Sequence, residues 1–268
     1  MPVVVSDAEV TLADVLSLRL AVDEPLADGA ELVLRNRATS AESRVPLGRP
    51  GGRPGGGVRD AALAVSLAPL DLGPGRWDTY LQQGTSRTRL RSVDPGFSLD
   101  HLEAYALSRR TLAYRAYRTR NGFLALKIDD ARPTAEVRSV WFREGRFEVT
   151  GLLAFTGLED DEARHEARLT LHRSRPDAEL SSAATVQGVR FHAALSLCDV
   201  IEAAPGQTGT WEPSLQVRGV STPLRLGSRL DDVDGKRRRL HYPAAQIDGV
   251  PIRPCYTADD ELRIEVGG

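Results

Sequence analysis

Two octapeptides decide how this chain is read. Gly-Arg-Trp-Asp-Thr-Tyr-Leu-Gln occupies positions 75–82, and Gly-Thr-Trp-Glu-Pro-Ser-Leu-Gln occupies 209–216. Trp77 matches Trp211, and Leu81-Gln82 matches Leu215-Gln216, at a spacing of 134 residues. Working outward, Gly57-Val58-Arg59 matches Gly188-Val189-Arg190, and Ala64-Val65-Ser66-Leu67 matches Ala194-Leu195-Ser196-Leu197. Leu32-Val33-Leu34 matches Leu169-Thr170-Leu171, while 114–119 aligns with 252–257 and 124–128 with 262–266. Matches that keep their order along the whole chain indicate an internal duplication. The polar stretch Asp129-Asp130-Ala131-Arg132-Pro133, closed by a proline, reads as the joint. The expected domains are therefore 1–130 and 131–268.

Apolar residues recur at every second position, as in Leu16-Ser17-Leu18-Arg19-Leu20, Leu124-Ala125-Leu126-Lys127-Ile128 and Leu262-Arg263-Ile264-Glu265-Val266. This is the period of a strand with one buried face. Asn121-Gly122 and Asp259-Asp260 fall between matched segments and predict a hairpin near the end of each repeat. About seven or eight strands per repeat predicts an all-β chain of two tandem Ig-like β-sandwiches. Helix is expected only at 99–107, with Ser98 as a candidate N-cap, and around 198–203. The Gly/Pro run over 48–57 reads as a surface loop that the second repeat lacks. Trp77 and Trp211, matched in both repeats, are expected in the cores, and Trp141, which has no counterpart, on the surface.

Composition narrows the function classes. The chain has 268 residues with 35 basic and 37 acidic side chains, which excludes a generally basic nucleic-acid binder. Two cysteines, Cys198 and Cys255, are too few for a disulfide scaffold or a paired-cysteine zinc site, and buried thiols are expected. No signal peptide and no apolar run of about 20 residues is present, so a cytoplasmic location is expected. His165 and His172 are an odd number of residues apart in a strand pattern, so they would face opposite ways and not share a metal. The acidic run 159–162 lacks calcium-loop spacing. No nucleophile elbow or phosphate-binding loop appears. Neither catalytic residue, metal ligand nor cofactor is expected.

Of the 35 basic residues only Lys127 and Lys236 are lysine. The densest excess lies at 87–127, where Arg87, Arg89, Arg91, Arg109, Arg110, Arg115, Arg118, Arg120 and Lys127 face only Asp94, Asp100 and Glu103. Tyr105, Tyr114 and Tyr117 interleave with these cations, a mixture that suits an anionic glycan, a phosphate polymer or single-stranded nucleic acid. The candidate ligand-binding residues are Tyr114, Arg115, Tyr117, Arg118 and Arg120, with Trp141 as a separate aromatic. A second basic run, Lys236-Arg237-Arg238-Arg239, flanked by Asp231, Asp232 and Asp234, reads as a loop.

The run Tyr-Arg-Thr-Arg-Asn-Gly-Phe-Leu-Ala-Leu-Lys-Ile at 117–128, followed by Pro133-Thr134-Ala135-Glu136-Val137, and the Gly-x-Trp-Asp-x-x-Leu pattern at 75–81 carry a resemblance. They resemble accessory all-β regions attached to glycosyltransferases and teichoic-acid-type glycerophosphotransferases of high-GC Gram-positive bacteria. The resemblance covers most of the chain. It implies a non-catalytic accessory or binding module associated with cell-envelope glycan or anionic-polymer synthesis, partnered by such a polymer or by a transferase domain. It carries over no catalytic residue, because no nucleotide-sugar-binding α/β pattern is present. Two alternatives stand beside it: an enzyme with its site in a cleft between the repeats, and a structural module that binds other proteins.

Overall fold

A computed structural model describes residues 3–22, 26–47, 60–94, 102–206, 208–231, 233 and 235–267. The chain is all-β, with strand at 58% and helix at 7%. It divides into two compact units. Unit 1 comprises Met1–Leu102, Arg110–Ala131 and Asp231–Val233, and unit 2 comprises Glu103–Arg109, Arg132–Leu230 and Asp234–Gly268.

Unit 1 contains β1 (Val4–Val10), β2 (Val15–Ala21), β3 (Glu31–Asn36), β4 (Glu42–Pro46), β5 (Asp60–Ser66), β6 (Gly75–Gln83), β7 (Ser86–Arg89), β8 (Arg91–Ser92), β9 (Leu112–Arg118) and β10 (Leu124–Asp130). One sheet has the order β5-β2-β1-β8, and the other has β4-β3-β6-β10-β9 with β7 beside β6. The period-two leucines explain the core. Leu16, Leu18 and Leu20 of β2 share one buried cluster with Leu32, Leu34, Trp77, Leu81 and Leu126 of the second sheet. Alternating residues of both sheets thereby leave water on a common side, the dominant favourable contribution to folding.

Unit 2 contains β11 (Thr134–Arg143), β12 (Arg146–Ala154), β13 (Arg164–Ser174), β14 (Asp177–Gln187), β15 (Arg190–Ser196), β16 (Gly209–Val217), β17 (Leu224–Gly227), β18 (Ala245–Ile247), β19 (Val250–Tyr256) and β20 (Leu262–Val266). Their order is β13-β14-β15-β12-β11-β17-β16-β20-β19-β18, and β13 also pairs with β16. That last pairing closes a seven-stranded barrel from β13 round to β16. The expectation of two tandem Ig-like sandwiches is therefore overturned.

The physical reason lies in the strand lengths. In unit 2 the 11-residue β14 passes through a tight turn at Gly188-Val189 straight into β15, and the two pair from Gln187↔Arg190 to Ala184↔Ala193. In unit 1 the corresponding β4 has only five residues, and no β4–β5 pairing occurs among the described residues. The Gly/Pro run expected as a loop between those strands lies outside the described residues. On the other side of the ring, the four-residue β17 is antiparallel to β16 and parallel to β11.

The pairing scheme of unit 1 nevertheless recurs in unit 2. The pairs β1–β2, β2–β5, β3–β4, β3–β6, β6–β10 and β9–β10 have counterparts in β11–β12, β12–β15, β13–β14, β13–β16, β16–β20 and β19–β20, and the parallel β1–β8 corresponds to β11–β17. Trp77 stands opposite Leu126 and Trp211 opposite Ile264, both buried at 5% and 0% exposure. The β9–β10 and β19–β20 turns share one design. Gly122 and Asp260 take positive φ (77° and 56°), and the Thr119 and Thr257 N–H groups donate to the carbonyls of Phe123 and Glu261, each at 2.8 Å.

The helices are short. The described part of the first expected helix is α1 (Leu102–Ala106), and Ser98 lies outside the described residues. The second is α2 (Leu197–Glu202), where Ser196 Oγ accepts the Asp199 N–H at 3.3 Å. The basic run expected as a loop forms α3 (Lys236–Arg239). Asp260 anchors it by accepting the Lys236 N–H at 2.9 Å, with both residues buried, while Asp232 and Asp234 lie outside the described residues. Among the described residues no helix is long and apolar enough to cross a membrane.

Gly151 sits at a crowded point of the barrel wall. A Cβ there would stand 2.0 Å from the Glu136 carbonyl oxygen and 2.6 Å from the Phe191 ring. Gly151→Ala is expected to destabilise the fold by about 1–3 kcal/mol through overpacking. Gly73→Ala, with open space around its Cβ, is expected to be near neutral. Urea unfolding of both variants checks this.

Candidate functional site

A dense cationic arrangement lies on unit 1 where β7 of the second sheet runs on into β8 of the first. Arg87 and Arg89 on β7 and Arg91 on β8 alternate with Thr88 and Leu90, so their side chains leave the strand on one side. Tyr80 of β6 stands directly opposite Arg89, and Phe123 bridges to Arg91. The guanidinium groups stack on these rings. Arg87 lies 4.5 Å and Arg89 6.0 Å from the Tyr80 centroid, and Arg89 lies 4.5 Å and Arg91 5.9 Å from that of Phe123. The result is a ladder in which arginine and aromatic alternate. Each contact is worth about 0.5–1 kcal/mol where exposed and holds a flexible cation in a fixed direction.

Two carboxylates organise the neighbouring arginines. Asp78, almost buried on β6, pairs with Arg89 at 2.7 Å, Arg76 at 3.0 Å and Arg37 at 3.4 Å. Glu42 of β4 pairs with Arg87 at 2.8 Å, Arg44 at 3.3 Å and Arg35 at 4.0 Å. Glu31 adds one longer contact to Arg44 at 3.7 Å. Six guanidinium groups thus share three carboxylates, and Arg91 adds a cation without an ion pair among the described residues. The hydrogen bond from Arg87, aided by Arg44, holds the Glu42 carboxyl below the ordinary carboxylate range. A guanidinium with free N–H directions grips phosphate or carboxylate in a fork.

The residues singled out from sequence separate. Tyr114, Arg115 and Tyr117 of β9 are buried at 7%, 4% and 3% exposure. Tyr114 belongs to the unit 1 core, where burial raises its phenol pKa. Arg115 donates to the Asp231 carbonyl and faces the Asp231 carboxylate at 3.8 Å, within the same unit. Arg118 and Arg120 are exposed at the β9–β10 hairpin that also carries Phe123. Trp141 is exposed on β11 of unit 2, with Arg143 5.3 Å from its ring. The sequence-derived candidates do not include the ladder arginines, whose signal is the Arg-x-Arg-x-Arg spacing at 87–91. Their aromatic partners leave no such signal, because Tyr80 and Phe123 come from other strands.

Unit 2 has its own concave feature, a cleft of about 590 Å³ beside α3 and the β19–β20 hairpin. Arg253 and Cys255 of β19 and Thr257 just beyond it line the cleft, with Arg263 and Glu265 of β20. Arg253 pairs with Glu265 at 2.7 Å, and Arg263 with Glu212 at 2.8 Å. Arg225 also donates to Glu212 at 2.7 Å, and this bond leads in lowering the Glu212 pKa. Arg237 of α3 lines the cleft without an ion pair among the described residues. The Tyr242 and Tyr256 rings form one wall, with centroids 6.4 Å apart.

Both cysteines are free. Cys198 is exposed and Cys255 half-buried, which departs from the expectation of two buried thiols. Burial and then Glu265 push the Cys255 thiol pKa up, so it stays protonated and a poor nucleophile at neutral pH. His165 and His172 both lie on β13, where their odd spacing separates them across the two faces, and His172 meets Asp177 at 3.3 Å. Among the described residues no group of three His, Cys, Asp or Glu side chains gathers at metal-binding distance.

No family model matches the chain, and no curated protein matches it in sequence. Similar solved structures include S. aureus TarS 217–571, at 14% identity over 84% of this chain and 61% of that one, with a TM-score of 0.37. A longer S. aureus TarS structure matches at 15% identity over 71% of this chain and 34% of that one, with a TM-score of 0.36. A cytokine receptor complex matches at 12% identity over 83% of this chain and 84% of that one, with a TM-score of 0.21. The chain thus spans 61% and 34% of the two TarS chains.

Two outcomes follow from the charge arrangement. Arg87→Ala is expected to raise the Glu42 pKa toward its ordinary value, read by carboxyl-carbon NMR titration. Because the folded pKa is depressed, the stability due to this pair is present at neutral pH and is lost as pH falls through the folded value. Cys255 is expected to react with iodoacetamide at pH 8 more slowly than exposed Cys198, measured by mass spectrometry of the two peptides.

Proposed function

We propose that the chain is a non-catalytic binding module for an anionic polymer, engaged through the arginine–aromatic face of unit 1. In the cell it serves cell-envelope glycan or anionic-polymer synthesis as an accessory region. The observation that carries this reading is the ladder Arg87–Tyr80–Arg89–Phe123–Arg91. Alternate residues on a strand stand about 7 Å apart, so the ladder is a comb of cations. An extended chain with one anion per repeat can track such a comb. The sequence resemblance to accessory regions of polymer-forming transferases supports the same reading.

The stacking favours a sugar-phosphate chain over single-stranded nucleic acid. Base recognition needs aromatic faces open for stacking. Here guanidinium groups lie over the rings of Tyr80 and Phe123, which makes the rings supports for cations. Recognition is then by charge and by the forked geometry of arginine, and it weakens as salt screens the contacts.

Binding of the chain to poly(glycerol phosphate) and to neutral dextran, measured by interferometry across a salt series, tests the reading. Poly(glycerol phosphate) is expected to bind with strong salt dependence, and dextran not at all. The double variant Arg87→Glu, Arg91→Glu is expected to lose at least tenfold in affinity while its melting curve stays cooperative. Equal affinity for dextran, or unchanged affinity in the charge-reversed variant, overturns it.

A further inference from the structure

We propose that the cleft of unit 2 is a second binding site, independent of the polymer-binding face, and that it takes a monophosphorylated sugar. Its size is the first argument. At about 590 Å³ it falls within the range of small-molecule sites and far exceeds what a bare inorganic anion fills.

The charge pattern supplies the second argument. Arg253 pairs with Glu265 at 2.7 Å, and Arg263 shares Glu212 with Arg225, at 2.8 Å. These pairs leave a polar wall rich in both donors and acceptors. The Thr210 and Thr257 side chains also line the cleft. Such a wall matches a ring bearing several hydroxyl groups. Arg237 differs from the two paired arginines, because it faces the same cleft with no ion pair among the described residues. Asp259 also lines the cleft, so the lining carries charges of both signs, and the forked donors of Arg237 fit a single phosphoryl group.

The aromatic wall is the third. Tyr242 is half-buried, and its ring is tilted 39° from that of Tyr256. It offers an apolar surface with a polar tip, as the C–H face of a sugar requires. The carboxylates of Glu265 and Asp259, both in the lining, disfavour ligands with several anionic groups. The protonated Cys255 thiol in the same lining adds a neutral contact and no covalent chemistry.

Calorimetric titration of the intact chain with glucose 6-phosphate, glucose and inorganic phosphate tests the assignment. Glucose 6-phosphate is expected to bind one to one, at least tenfold tighter than either of its parts. Arg237→Ala is expected to lose tenfold or more, and Arg237→Lys to recover part of that loss. Tyr242→Ala is expected to weaken glucose 6-phosphate and leave phosphate unchanged, a split that a merely structural role would not produce. The Arg87→Glu, Arg91→Glu variant is expected to bind glucose 6-phosphate as the parent does, so the two sites succeed or fail separately. The proposal is overturned if inorganic phosphate binds as tightly as the sugar phosphate, if Arg237→Ala changes nothing, or if no saturable binding occurs.

Discussion

The structure of unit 2 depends on a division of labour along β16. From Glu212 to Val217 this strand pairs with β13 and closes the ring, and from Gly209 to Trp211 it pairs with β20. A sheet edge left open exposes a row of unpaired amides and carbonyls, and closure removes it. Because β16 serves both neighbours, the ring and the terminal hairpin are one hydrogen-bonded system. The cleft with Arg237, Arg253 and Arg263 exists because β20 is held there. Where the strand passes from one partner to the other, Trp211 is fully buried and Arg173 lies 5.9 Å from its ring. Arg173 is itself buried, and it donates to the carbonyls of Arg175 at 2.9 Å and Thr208 at 2.7 Å. A larger residue than Gly209 is disfavoured there, because φ is 151° and a Cβ would stand 3.0 Å from the guanidinium.

The corresponding strand of unit 1 shows how one element serves core and surface together. Trp77, Thr79 and Leu81 of β6 are buried. On the opposite face Asp78 gathers Arg37, Arg76 and Arg89, and Tyr80 supports Arg89 together with Arg87. Strand alternation makes this possible, since a single residue step moves a side chain from core to solvent. Crowded guanidinium groups repel one another. Asp78 and Glu42 offset that repulsion locally while leaving the face cationic, which is the balance a salt-sensitive binding surface needs. The two carboxylates thereby orient arginines that would otherwise sample many rotamers.

Much of this was legible in the sequence, and the losses have identifiable causes. The period-two leucines of β2 and β20, the matched tryptophans and the two hairpin turns depend on neighbours within one strand or one turn. The barrel was missed because closure depends on the length of β14 and on the pairing of β13 with β16, about 45 residues away along the chain. Arg115 and Arg118 look alike in a list of cations. One is buried against Asp231, far along the chain, and the other is exposed at a hairpin. The most distinctive chemistry, the alternating ladder, joins residues from β6, the segment 87–91 and the β9–β10 turn.

The sequence by itself determined that the chain is all-β, duplicated in its pairing scheme, and punctuated by the same turn in each half. Those properties are local, since alternation, Gly and Asp at positive φ and tryptophan placement act over a few residues. Tertiary structure decided that the second copy closes into a barrel and that half of the expected basic and aromatic cluster is buried. It also decided which arginines stand free to meet an anion. Each of these depends on which strand edges meet and which carboxylate arrives beside which guanidinium. Such long-range partnerships are set by the whole packed chain and leave no periodic trace in any one segment.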